Sequence, residues 1–230
     1  MKKKAILAGA SGSIGSSLLQ QLLECDDYNE VLVLVRKDIG IKHPKLQQLI
    51  LNFSDLNRYT AQINGNVVFC CLGTTKKNTP DEEEYKKIDY QYPLDLAWIA
   101  QVNGATGYHM ISSVGANKDS GVFYTRTKGE VERDLKAVPF KSLHIYRPSL
   151  LNGTRKENRL GEKLMNCIMW LLNPLLFGRL KKYRSIKVET VATAMVRFSL
   201  KDDHGVWIHE SDVIQEAGSF NKANETKLTF

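Results

Sequence analysis

The sequence predicts an α/β fold built on a doubly wound parallel sheet, and three observations carry that expectation. Short apolar runs alternate with longer segments of helical spacing, the order in which crossover helices join parallel strands. Two of the runs, VLVLVR (31–36) and VVFCCLG (67–73), are almost continuously apolar, as strands covered by helices on both faces are. A glycine-rich stretch, GASGSIG (9–15), follows the first run and opens a helical segment.

In chain order, strands are expected at KAILAGA (4–10), VLVLVR, LQQLILN (46–52), VVFCCLG, GYHMISS (107–113) and SLHIYRP (142–148). Helices are expected over 14–24, 82–102 and 122–137. Spacing is clearest in the third, where Val122, Val131 and Leu135 frame a face that also carries Tyr124 and Lys128. IKVETVATAMVRF (186–198) reads as a helix after a short return strand, and GVWIHE (205–210) as a last strand. Residues 221–230 are polar and read as a loosely held tail. No repeat or composition break marks a linker, so residues 1–230 form a single domain. Residues 151–230 are its small substrate-side, or lid, portion.

Composition excludes several classes. The 43% apolar and 25% charged fractions are those of an ordinary globular chain. Lysine and arginine exceed acids by seven, but they are spread thinly and form no nucleic-acid motif, so a solvated basic surface is the favoured account. Cys25, Cys70, Cys71 and Cys167 make no C-x-x-C pair. The adjacent Cys70 and Cys71 point to opposite faces of a strand, so no metal site is expected. Free thiols suit a reducing cytoplasm, the expected location. The opening MKKKAILAGA is too short in its apolar part for a secretory signal, and no run reaches the roughly 18 apolar residues that span a bilayer.

A strand, then glycines at 9, 12 and 15, then a helix is an arrangement that holds a dinucleotide. Gly9 permits the tight turn, Gly12 lets the backbone approach the pyrophosphate, and Gly15 lets helix and sheet pack closely. Amides at the helix start, with the Ser11 and Ser13 hydroxyls, would donate to phosphate oxygens. The second strand ends in LVRKD, so Arg36 and Lys37 stand where NAD-binding chains usually carry an acid. An arginine grips a 2′-phosphate that a carboxylate repels. NADPH is therefore favoured, while Asp38 keeps NAD as the second choice.

The fifth strand ends in ISSVG, and YTRTK follows eleven or twelve residues later. Tyr124 and Lys128 lie at i and i+4, on one helix face. With Ser112 or Ser113 they make a plausible proton-transfer set for reducing a carbonyl. A nearby ammonium and an oxidised nicotinamide would lower a tyrosine pKa that is near 10 when free. Tyr124 then gives the proton, Lys128 activates it and holds the ribose, and a serine binds the substrate oxygen.

These stretches resemble the short-chain dehydrogenase/reductase superfamily, and most closely its atypical Tat-interactive-protein branch. The likeness runs from ILAGASGSIG through VVFCCLGTT, SSVGANKDSGVFYTRTKGEVE and YRPSLL to RKENRLGEKL. It implies an NADPH-binding Rossmann domain. Ser11, Gly12, Ser13, Ile14, Arg36 and Lys37 would contact the diphosphate and 2′-phosphate, and Leu72 and Gly73 the adenosine side. Leu151 and Arg159 match further cofactor positions, and the second serine, Ser113, matches the catalytic one. Asp89 replaces the asparagine that many members carry in the fourth helix, which alters the proton relay through that helix.

The favoured function is an NADPH-dependent oxidoreductase acting on a small carbonyl compound. A non-enzymatic NADPH sensor that binds a partner through 151–185 is the first rival, and a sugar-nucleotide epimerase or dehydratase the second. Residues 160–178 carry Met165, Ile168, Met169, Leu171, Leu172, Leu175 and Phe177, followed by the basic RLKKYR. A lid helix is the favoured reading of this segment. A peripheral membrane contact, a protein contact and a subunit interface remain open, and a homodimer is compatible with the sequence.

Overall fold

A computed structural model describes residues 2–152 and 178–219. The chain runs β1 (Lys3–Ala8), α1 (Ser13–Glu24), β2 (Tyr28–Val35), β3 (Leu46–Ile50), a 3-10 segment (Phe53–Gln62) and β4 (Val67–Cys70). Next come α2 (Glu82–Lys86), a π-helical turn (Lys87–Gln91), α3 (Tyr92–Val102), β5 (Gly107–Ile111), α4 (Phe123–Leu135) and β6 (Ser142–Arg147). The last part holds β7 (Leu151–Asn152), a 3-10 turn (Gly178–Tyr183), β8 (Ile186–Lys187), α5 (Val188–Ser199), β9 (Gly205–Glu210) and α6 (Ser211–Ser219).

Seven strands form one sheet in the order β3-β2-β1-β4-β5-β6-β9, and every pair in it is parallel. The order reverses between β1 and β4, which opens a crevice beyond their carboxyl ends where α/β sheets bind ligands. β7 and β8 pair separately as a two-stranded ribbon beside it.

One apolar core lies between the sheet and α1, α5 and α6, the other between the sheet and α3, α4 and the first 3-10 segment. Cys70 belongs to the second core and Cys71 packs against the first, the opposite-face placement expected of strand neighbours. Cys25, Cys70 and Cys71 are free thiols, while Cys167 lies outside the described residues. His109 and His144 are register partners on β5 and β6, their rings 4.4 Å apart and 3° from parallel. His209 on β9 extends the row, with its Nε2 3.0 Å from His144 Nδ1. Burial lowers the pKa of His144 and His209 to about 4 and that of His109 well below the usual range, so the row is neutral at physiological pH.

Three expectations need correction. The single helix over 82–102 is two helices joined by a π turn. Pro93 near the start of α3 has no N–H to offer the carbonyl of Asp89, while Tyr92 N–H reaches back five residues to Lys87 O. Val122 does not face the core: it precedes α4 as its cap and is exposed. The helix expected over 186–198 gives its first two residues to β8. The last helix, α6, had no counterpart in the expected element list.

Candidate active site

The glycine loop joins β1 to α1 through close backbone packing. Gly9 has φ +87°, and a Cβ there would lie 2.5 Å from Cys71 O; a Cβ on Gly15 would lie 2.1 Å from Gly9 O. Only glycine meets both demands. Gly12 caps α1 without a side-chain hydrogen bond, so the helix start presents backbone amides to an anion. Gly9, Ala10, Ser11 and Gly12 line one cavity of about 380 Å³ together with Leu72, Gly73, Asn52, Phe53 and Tyr92. Gly12, Ser13, Ile14 and Gly15 line a neighbouring one of about 370 Å³. Shared walls at Gly12 and 71–74 make the two a single crevice.

Arg36 and Lys37 border an open groove beside the loop, with Ser11, Ser13 and Ser16 on its other wall. The acid that follows them is engaged elsewhere. Asp38 Oδ1 accepts from Gly40 N–H and from Gln48 Nε2, each at 2.8 Å, and those donors hold its carboxyl below the usual range. Arg36, Lys37 and Asp38 all line the groove, with Asp38 Oδ1 occupied by these two donors.

Ser112, Ser113, Tyr124 and Lys128 all line the second cavity, with Leu151 on its far side. The two serines have different work. Ser112 Oγ donates to Glu132 Oε1 at 2.5 Å, and Glu132 in turn holds Arg147 through both carboxylate oxygens. Arg147 also donates to Glu210 on β9. Ser112 is therefore committed to a buried ionic network. Ser113 Oγ is buried and has no hydrogen-bond partner among the described residues, which leaves its hydroxyl to a ligand.

Tyr124 is 39% exposed while Lys128 is buried, the reverse of a chance helical pair with its lysine in solvent. Lys128 Nζ lies 2.8 Å from Asp89 Oδ1, and Asp89 Oδ2 accepts from Thr74 N–H at 2.8 Å. Burial works against the Lys128 charge. Asp89, with Tyr124 and Tyr85, outweighs it, and the ammonium is held above the usual lysine range.

A model of the NAD dependent epimerase/dehydratase family matches residues 5–206. The chain belongs to that family. It is 32% identical to Protein HTATIP2 of Rattus norvegicus over 70% of this chain and 68% of that protein. It is 31% identical to Protein fmp52, mitochondrial, of Aspergillus fumigatus over 92% of this chain and 97% of that one. Among solved structures it resembles MoeE5 in complex with UDP-glucose and NAD (TM-score 0.67, 16% identity, 89% of this chain and 74% of that one). It also resembles Bordetella bronchiseptica WbmH in complex with NAD+ (TM-score 0.69, 17% identity, 91% and 76%). As a member of this epimerase/dehydratase family with a Rossmann-type sheet, the chain is an NAD(P)-binding protein, resembling the HTATIP2 branch. The expectation of a cytoplasmic location is corrected: the fungal relatives are named as mitochondrial proteins, and free thiols do not separate one reducing compartment from another.

The crevice thus gathers Gly9, Ser11, Gly12, Ser13, Ile14, Gly15, Arg36, Lys37, Leu72, Gly73, Ser112, Ser113, Tyr124, Lys128 and Leu151. Arg159 and most of the 160–184 segment lie outside the described residues. Among the described residues no cluster suited to a metal and no helix long and apolar enough to cross a membrane occurs. Sequence reasoning missed Asn52, Phe53, Asn78 and Tyr92 as crevice walls. For Asn52 and Phe53 the NFSD stretch after the third strand was the signal, since Asn52 caps the following segment by accepting from Ser54 N–H; Asn78 and Tyr92 had none.

Proposed function

We propose that this protein is an NADPH-dependent oxidoreductase that reduces a small carbonyl compound. The observation that carries the proposal is the buried Ser113 hydroxyl, without a hydrogen-bond partner among the described residues, on the same cavity as Tyr124 and Lys128 and continuous with the glycine-loop crevice. NADPH, when bound, supplies the hydride. Ser113 donates a hydrogen bond to the substrate oxygen, Tyr124 delivers the proton to it, and Lys128 supports the tyrosine. The choice of NADPH over NADH rests on Arg36 and Lys37, with Asp38 Oδ1 already accepting from Gly40 N–H and Gln48. The mitochondrial names of the fungal relatives suggest that compartment for this chain too.

Fluorescence titration with NADPH and NADH tests the cofactor choice. NADPH is expected to bind at least about tenfold tighter, a difference of roughly 1.4 kcal/mol, and Arg36→Ala to lose that preference. Equal affinities in the unaltered protein would return the choice to NADH. The chemistry is tested with a panel of small aldehydes and ketones. Tyr124→Phe is expected to lower the reduction rate at least about 100-fold while leaving NADPH affinity within roughly twofold. An unaltered rate would remove Tyr124 as the acid. If no carbonyl in the panel is reduced although NADPH binds, a cofactor-sensing role takes over.

A further inference from the structure

The electrostatic setting of Tyr124 depends on a residue one helix away. We infer that Asp89 is a positioning residue which pins Lys128 and cancels its net charge, so that Tyr124 faces an ion pair rather than a lone cation. The inference rests on the proposed role of Tyr124 as the acid.

Asp89 is 1% and Lys128 5% exposed, and they meet at 2.8 Å on the wall of the cavity that Gly73 also lines. The π turn holds Asp89. It breaks the regular spacing of the 82–102 helix and leaves Asp89 buried between exposed or half-exposed neighbours. Two further bonds fix the carboxylate and its surroundings: Thr74 N–H donates to Asp89 Oδ2, and Tyr85 OH donates to Thr74 O. The titratable groups facing the pair are Tyr85 from α2, Cys70 from β4 and Tyr124 from α4. Lys76 reaches over the Phe123 ring at 4.2 Å but is itself paired with Glu82. Lys128 is thus the buried cation that shares a cavity with Tyr124, and Asp89 is its buried counter-charge.

A lone buried ammonium stabilises a nearby tyrosinate, whereas an ion pair presents only a dipole, whose field decays faster with distance. The pair therefore offers a phenolate oxygen less stabilisation than an uncompensated lysine would. Such a site favours donating a proton to substrate over abstracting one.

The test follows tyrosinate absorbance from neutral to alkaline pH. Each protein is compared with its Tyr124→Phe counterpart, which isolates one signal from the nine tyrosines. In Asp89→Asn the Tyr124 midpoint is expected to fall by about one pH unit or more, and the high-pH decline of carbonyl reduction to move down with it. Asp89→Asn with Lys128→Met removes both charges and is expected to return the midpoint to within about half a unit of the unaltered protein. An Asp89→Asn midpoint that stays at the unaltered value overturns the inference, as does a double variant displaced by about a unit or more. If Asp89→Asn does not fold, Lys128→Met takes its place: the uncompensated Asp89 is expected to raise the Tyr124 midpoint by about one unit or more, and an unaltered midpoint overturns the inference. A shifted midpoint without any carbonyl reduction would sink the reductase reading and leave the role of Asp89 intact; reduction with an unshifted midpoint would do the opposite.

Discussion

Replacing Glu132 by alanine is expected to cost about 3 kcal/mol of stability and to lower the unfolding midpoint by roughly 6–12 °C. Glu132 is almost fully buried, its side chain 3% exposed, and it satisfies two groups at once. Arg147 loses both carboxylate contacts and keeps only Glu210, and the buried Ser112 hydroxyl loses its acceptor. The cost lies at the low end for a broken buried pair because the Arg147 side chain remains 20% exposed, so water recovers part of its solvation. Glu132→Gln keeps the volume and an acceptor for Ser112, and should lose less. Urea unfolding followed by circular dichroism measures both variants. A loss below about 1 kcal/mol for the alanine variant would mean that the network is peripheral to stability.

Gly15→Val is expected to abolish cofactor binding at any usable concentration, a loss of at least about 100-fold, and to destabilise the fold by several kcal/mol. The added Cβ runs into the backbone of the loop: Gly9 O at 2.1 Å, Gly9 C at 2.7 Å and Ala10 Cα at 3.1 Å. None of these atoms can rotate away, so relief requires the loop to leave α1. Gly9 cannot follow freely, because it is itself pressed against the Cys71 carbonyl. Gly12→Ala is the contrast. Its nearest neighbour would be a single oxygen at 3.3 Å, so the fold should survive with less than about 1 kcal/mol lost. Thermal unfolding and NADPH titration of the two variants separate the packing glycine from the approach glycine. Similar stability for both would contradict the close packing of the loop on α1.

The sheet was legible because its strands are short apolar runs set between helical patterns, and six expected strands map onto β1 to β6. The glycine loop, Arg36, the two serines and the Tyr124–Lys128 pair were legible because each is a local pattern. What stayed hidden depends on contacts between distant segments. Spacing does not reveal which serine is free, since the answer lies in Glu132, twenty residues away on α4. Nor does it reveal that Asp38 caps its own loop, which needs Gln48 on β3. The π turn had a visible cause in Pro93, but a proline within helical spacing also fits an ordinary kink. Only the Asp89–Lys128 contact gives the extra turn a purpose.

The division of the core has a consequence for how the chain is made. The apolar face of α1 is complete by residue 24, yet the residues that cover it, from Ile186 through Ile214, are synthesised much later. At ordinary elongation rates roughly ten to forty seconds separate the two. Through that interval Leu18, Leu19 and Leu22, with the strand residues beneath them, lack their final partners. The other core, drawn from residues 6 to 145, can close first. The nascent chain therefore emerges with one layer finished and the other open, and the glycine loop stands on the open side.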